Sequence, residues 1–254
     1  MTPILEARGV SRSFGGVRAL DDADFEIEAG EVVALIGDNG AGKSTLVKAL
    51  SGNLEIDGGE VFFNGKLVRL THPNDATKLG IEVVYQDLAL APHLDPTQNM
   101  FLGREIPAAG ILGKLGFMNN REMRRKARAS FADLGGTVRS LTAPVANMSG
   151  GQRQQIAIAR AIAWANEIVF LDEPTAALGV VQTQNVLDAI KRVRDKGIAV
   201  VLISHSMPEV LEVADRVQVM RLGRRVATFS GKDVTMDQLV GAMTGSIEQE
   251  RKSA

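Results

Sequence analysis

Residues 31–45, EVVALIGDNGAGKST, constrain the fold of this chain more than any other stretch. A compact apolar run ends at Gly37. The residues that follow, Gly37, Asp38, Asn39, Gly40, Ala41, Gly42, Lys43, Ser44 and Thr45, fit G-x-x-x-x-G-K-[ST]. A helix is expected over Lys43–Ser51. The glycines let the backbone curl so that successive N–H groups face phosphate oxygens. The start of the helix adds partial positive charge. Lys43 supplies a formal positive charge for the β- and γ-phosphates, and the Ser44 hydroxyl can ligate Mg2+. All nine residues are therefore candidates for binding a nucleotide. A chance glycine-rich turn would lack both the strand before it and the Lys-Ser-Thr after it.

The rest of the chain supplies a matching framework. Strands are expected at Ile4–Val10, Asp24–Glu28, Glu60–Phe63 and Ile81–Tyr85, with a hairpin pattern set by Asp57-Gly58-Gly59 and Asn64-Gly65. The last third alternates: strands at Glu167–Leu171, Ile198–Ile203, Arg216–Met220 and Arg224–Phe229, helices at Val181–Lys196, Met207–Val213 and Thr235–Met243. The unbroken apolar run Ile198–Ile203 is what a sheet covered on both faces requires. The middle is helical. Pro96–Leu102 reads as a short helix and Ile106–Gly116 as a loop. Asn120–Leu134 reads as a basic amphipathic helix with Met123, Ala127 and Phe131 on its apolar face and a solvated face of arginines. The expected class is α/β: a P-loop NTPase core with a mostly parallel sheet, an N-terminal antiparallel β subdomain, and a helical subdomain inserted at about 90–165, all within one domain spanning 1–254.

A second site feature follows. Ile168-Val169-Phe170-Leu171 is followed by Asp172-Glu173. A buried strand of the same sheet would eject both acids at its carboxyl end, where such sheets bind ligands. Asp172 is suited to holding Mg2+, and Glu173 to polarising an attacking water.

Met148-Ser149-Gly150-Gly151-Gln152, just before the helical run RQQIAIARAI, resembles the LSGGQ signature of ABC-type ATPases, with Met for Leu. The order of phosphate loop, signature and strand-end acids is that of the family, and the likeness covers nearly the whole chain. A Ser-Gly-Gly turn opening a helix is itself a second anion site. The resemblance implies that two copies pair head to tail as a homodimer. The Ser149, Gly150, Gly151 and Gln152 loop of one copy would then close over ATP held by the other. It also implies that Phe14 stacks on adenine, that Gln86 is the Q-loop glutamine and that His205 is the switch histidine. The implied catalytic set is Lys43, Gln86, Glu173 and His205, and the implied Mg2+ site is Ser44, Gln86 and Asp172. Where the family usually has an Asp after Ser-Ala-Leu, this chain has Gly179, which removes the side chain making that inter-subunit contact and leaves nucleotide binding untouched.

Within the family, Val84–Leu90, Leu94-Asp95, Asn99–Glu105 and the run EPTAALG look like the sugar importers of the ribose, xylose and fructose type. The implied role is ATP hydrolysis that energises uptake of a sugar through transmembrane permease subunits, with a periplasmic solute-binding protein as indirect partner. The expected place is the cytoplasmic face of the membrane, peripheral on the permease. The alternatives are import of another solute and a non-transport, ATP-gated module. With 29 Lys+Arg against 30 Asp+Glu, the chain lacks the basic excess of a nucleic-acid binder. The absence of Cys excludes thiolate metal sites and cysteine nucleophiles.

Overall fold

The computed structural model describes residues 2–134, 140–247 and 249. They form two compact units, one of Met1–Val83, Ala165–Glu173 and Ile190–Ala254, the other of Val84–Trp164 and Pro174–Ala189.

The first unit carries two sheets. Strands β1 (Leu5–Phe14), β2 (Val17–Ile27), β4 (Gly58–Phe63) and β5 (Lys66–Val68) form an antiparallel sheet in the order β2-β1-β4-β5. Strands β3 (Val32–Ile36), β6 (Ile81–Val84), β7 (Ile168–Asp172), β8 (Ala199–Ile203), β9 (Arg216–Arg221) and β10 (Arg224–Ser230) form the second sheet, ordered β10-β9-β3-β8-β7-β6. The pairs β9–β3, β3–β8 and β8–β7 are parallel, and the edge strand β10 is antiparallel. Every residue of β3, β7 and β8 is buried. The alternation of β3 explains why. Val33 and Leu35 pack with Leu46, Val47 and Leu50 of helix α1 (Lys43–Leu50), while Ala34 and Ile36 pack with Val210 and Leu239 on the other face. The expected α/β class with a mostly parallel sheet and an N-terminal antiparallel sheet is therefore what the chain forms.

Strands β1 and β2 extend beyond the expected Ile4–Val10 and Asp24–Glu28, turning at Gly15-Gly16. Their alternation is broken by register shifts between Ala7, Val10, Arg12 and Ser13, which hides the continuation from a period-two reading. A further helix, α2 (Pro73–Lys78), was not expected from periodicity. It is too short to show any, and Asp75 fixes its start by accepting from the His72 N–H at 3.0 Å.

The second unit is helical: α3 (Pro96–Phe101), α4 (Ile111–Lys114), α5 (Asn120–Asp133), α6 (Gly150–Trp164) and the first part of α7 (Val180–Asp195), which continues into the other unit. Helices α3, α5 and α6 pack on one another. Met123, Ala127 and Phe131 are the buried face of α5, as its spacing predicts. The expected loop at Ile106–Gly116 instead contains the single turn α4. Trp164 donates from Nε1 to the Met100 carbonyl at 2.8 Å and stands edge-on to Phe101. Asn99 is fully buried. Its amide donates to the carbonyls of Ala91 (3.0 Å), Leu94 (3.2 Å) and Asp95 (3.1 Å) and accepts from the Ala91 N–H at 2.8 Å. Asn99→Ala takes the acceptor from the Ala91 N–H, while the carbonyls of Ala91, Leu94 and Asp95 keep main-chain partners, and the expected loss is about 1–3 kcal/mol of stability, measured by urea unfolding.

Candidate functional site

The first unit builds its site where β3 ends. Gly37 and Gly42 have φ of 150° and 101°. A Cβ at Gly37 would stand 2.2 Å from the Met220 carbonyl oxygen, and one at Gly42 2.6 Å from that of Ala19, so neither position admits a side chain. The turn between β9 and β10 braces the loop, with Gly223 N–H donating to the Ala41 carbonyl at 3.0 Å. Helix α1 starts directly at Lys43, with no acid in its first turn to occupy its leading N–H groups. Lys43 folds back: Nζ donates to the Gly37 carbonyl at 2.5 Å and to that of Asp38 at 3.0 Å. Burial lowers its pKa, opposed by the charges of Glu173, Asp172 and Asp38.

Asp172 closes β7 and is buried, 7% exposed. The Ser44 hydroxyl donates to its Oδ2 at 3.4 Å. Burial, and then the neighbouring Glu173 charge, push the Asp172 carboxyl above the ordinary carboxylate range, against the Ser44 hydrogen bond and Lys43. Glu173 leaves the strand in the left-handed region at φ 51°, an uncommon conformation for a non-glycine residue, while its N–H still donates to the Ile203 carbonyl at 2.9 Å. This twist carries Glu173 Oε2 to 2.7 Å from Nδ1 of His205, beyond the end of the neighbouring strand β8. The Glu173 side chain is 17% exposed and that of His205 77%, so the pair lies at the solvent edge of the sheet.

Phe14 ends β1 with its ring half exposed. The Arg12 guanidinium lies 5.3 Å from the ring centroid and pairs with Asp57 at 2.8 Å, and Asp57 also accepts from the Ser13 N–H at 2.7 Å. The structure thus brings Lys43, Ser44, Asp172, Glu173 and His205 together and places Phe14 in the same unit.

The remaining candidates belong to the second unit. Gln86 is exposed just after β6. The Ser149 N–H donates to Gln152 Oε1 at 2.9 Å while the Gln152 N–H donates to Ser149 Oγ at 3.3 Å, a reciprocal cap that opens α6. Ser149 itself is exposed, and a Cβ at Gly151 would come within 3.3 Å of the Ala177 carbonyl oxygen. Gly179 precedes α7 and accepts the Thr183 N–H at 2.9 Å. One contributor escapes a sequence reading. Arg160 on α6 donates to the carbonyls of Leu88 (3.1 Å) and Ala89 (2.9 Å), two successive residues at positive φ. Nothing in the sequence separates it from Arg153, two turns earlier on the same helix.

A glycine loop with a half-buried lysine after a central parallel strand, and a buried carboxylate facing the loop's serine from another strand of that sheet, define a P-loop nucleotide-binding protein. The family model described as ABC transporter matches residues 20–176, more than half of the sequence. The chain belongs to the ABC transporter family, as one of its ATP-binding cassettes. It is 49% identical over 253 residues to the fructose import ATP-binding protein of Rhizobium meliloti, covering 99% of this chain and 97% of that one. It is 42% identical over 244 residues to the xylose/arabinose import ATP-binding protein of Sulfolobus acidocaldarius, covering 96% and 95%. A nucleotide-free ATP-binding cassette from an ABC transporter superposes with a TM-score of 0.78 at 25% identity, covering 96% of each chain. Among the described residues no helix is long and apolar enough to cross a membrane.

Proposed function

We propose that this cassette hydrolyses ATP to energise uptake of a monosaccharide, working as a head-to-tail homodimer beneath transmembrane permease subunits that receive solute from a periplasmic binding protein. The Ser44–Asp172 and Glu173–His205 contacts around Lys43 carry the hydrolytic reading. The naming of relatives as fructose and xylose/arabinose import proteins supports the sugar, and with it a position at the cytoplasmic face of the membrane.

Lys43 exchanges the Gly37 and Asp38 carbonyls for β- and γ-phosphate oxygens, while the main-chain N–H groups of residues 37–45 cradle the phosphates and Phe14 offers its ring to the base. The donor set suits Mg2+: a hydroxyl and a buried carboxylate, both oxygen ligands. Ser44 and Asp172 would hold the ion together with the nucleotide's phosphates. Bound Mg2+ supplies neutralisation of phosphate charge. Glu173 takes the proton of a water whose oxygen attacks the γ-phosphorus, and the bond to the β–γ bridging oxygen breaks to leave ADP. His205 holds the Glu173 carboxylate in place. Ser149 and the Gly150–Gly151 N–H groups of the second copy bear on the γ-phosphate, as an arginine finger does elsewhere. The helical subdomain at about 90–165, of which 135–139 lie outside the described residues, passes the change to the permease within a single cassette spanning 1–254.

Phosphate release by the purified chain, with and without Mg2+, tests hydrolysis. Uptake of labelled fructose, xylose and ribose by membranes carrying the cognate permease, with and without this chain, tests the sugar. Asp172→Asn keeps the side-chain volume and removes the charge. It is expected to lower the Mg2+-dependent rate by about 10²-fold or more while nucleotide binding without metal persists, read by titration with a fluorescent ATP analogue in the presence of a chelator.

A further inference from the structure

The second unit carries a surface that the nucleotide site does not use. Residues 106–119 form a tight hairpin joined directly to α5. It is closed by the Asn119 N–H to the Ile106 carbonyl at 2.7 Å and the Ala108 N–H to the Phe117 carbonyl at 2.8 Å. Its interior is filled by its own main chain: a Cβ on Gly113 would stand 2.0 Å from the Ala108 carbonyl oxygen. The apolar side chains have no inside to enter. Ile111, Leu112, Leu115, Phe117 and Met118 are between 46% and 76% exposed. Five large apolar residues within eight positions form a concentrated patch of a kind that scattered surface leucines do not.

Helix α5 leaves this hairpin with Met123, Ala127 and Phe131 turned inward. Arg121, Arg124, Arg125 and Arg128, at i, i+3, i+4 and i+7, therefore form one exposed stripe, and they line a basin of about 750 Å³ made only of residues 119–128. Residues 111–128 hold six Lys or Arg against the single acid Glu122, itself paired with Arg125 at 2.6 Å, in a chain whose net charge is −1. An arginine stripe alone is an ordinary solvated face. Joined to an exposed apolar tip, it acquires the two chemistries of a membrane-surface element: side chains that enter the headgroup boundary, and guanidinium groups that take phosphate oxygens beside it.

We propose that residues 106–128 bind the surface of an anionic phospholipid bilayer. The hairpin embeds its apolar tip, and the stripe on α5 engages the headgroup phosphates. A bilayer fits this surface better than a protein groove does, because a hairpin filled by its own main chain, with its apolar side chains exposed, asks for a soft apolar layer, and the charge stripe asks for a field of phosphates. The proposal stands apart from the reading of the nucleotide site, since it needs neither ATP nor permease.

The test is co-sedimentation of the full chain, without permease, with vesicles of phosphatidylcholine alone and of phosphatidylcholine mixed with phosphatidylglycerol. The expected result is at least about tenfold stronger partitioning onto the mixture, weakened by salt. The triple variant Arg121→Gln, Arg124→Gln, Arg128→Gln loses the lipid preference. Leu115→Ser with Phe117→Ser weakens binding to both vesicles by about tenfold or more. All these side chains are exposed, and a circular dichroism melt checks folding. Leu222→Ser with Leu67→Ser, exposed elsewhere, leaves partitioning unchanged. A wild-type chain that stays in the supernatant with both lipids, or variants that partition as it does, overturns the proposal. In a further arm with the same vesicles carrying the permease, retention of the chain on those vesicles alone also overturns it. Phosphate release measured on the same samples reports separately on the nucleotide site.

Discussion

Glu173→Gln is expected to cut phosphate release by about 10²- to 10⁴-fold while MgATP still binds, since in the proposed mechanism the change removes the general base and little else. The main chain at this position is held by its N–H bond to the Ile203 carbonyl, which the amide variant keeps. The cradle is likewise spared: Lys43 is anchored on Gly37 and Asp38, and Ser44 faces Asp172. What is lost is the carboxylate that His205 holds at 2.7 Å. Single-turnover phosphate release together with nucleotide titration separates the two effects. A rate within about tenfold of the wild type would remove Glu173 from the proton-transfer step. His205→Ala, which unfastens the carboxylate without deleting it, should cost less than Glu173→Gln in the same assay.

Ser149→Arg is expected to lower hydrolysis by about 10²-fold or more without touching nucleotide binding by a single copy, because it would block the cap that, on the proposed reading, one copy lends the other. Ser149 also caps α6 through the Gln152 N–H, so the variant carries a folding cost of about 0.5–2 kcal/mol that a thermal melt must record. Mixing the Ser149→Arg chain with a Lys43→Ala chain is the decisive arm. A mixed pair contains one site with both an intact Lys43 loop and an intact Ser149 loop, so partial activity returns where neither variant alone has any. Mixtures no more active than their parents would exclude a site shared between copies.

How much of this was legible in advance depends on the residue. Strands β3, β7 and β8 are short and buried along their whole length, so unbroken apolar runs marked them, and the phosphate loop was set by residue types that only its geometry needs. The apolar face of α5 followed from spacing alone. The continuation of β1 past Val10 did not, because the bulges reverse which side chains face inward. Helices α2 and α4, of six and four residues, are held by an Asp75 cap and by hairpin closure, neither of which periodicity can register. The Glu173–His205 contact joins residues far apart in sequence. It exists because β7 and β8 are parallel neighbours in a register that sets Asp172 opposite Ile203, and because Glu173 adopts a backbone twist no propensity favours. Arg160 was invisible for a similar reason: its role is defined by two carbonyls in a loop 71 and 72 residues away.

The folded-back posture of Lys43 has a consequence for selectivity. The Lys43 ammonium is bonded to two carbonyls of its own loop. An incoming anion must outbid those partners, and a lone orthophosphate trades like for like with little net gain. In the proposed binding mode a chain of phosphates would also engage the curled N–H groups and recover more than the lysine gives up, so the loop would select for polyphosphate length before any chemistry starts.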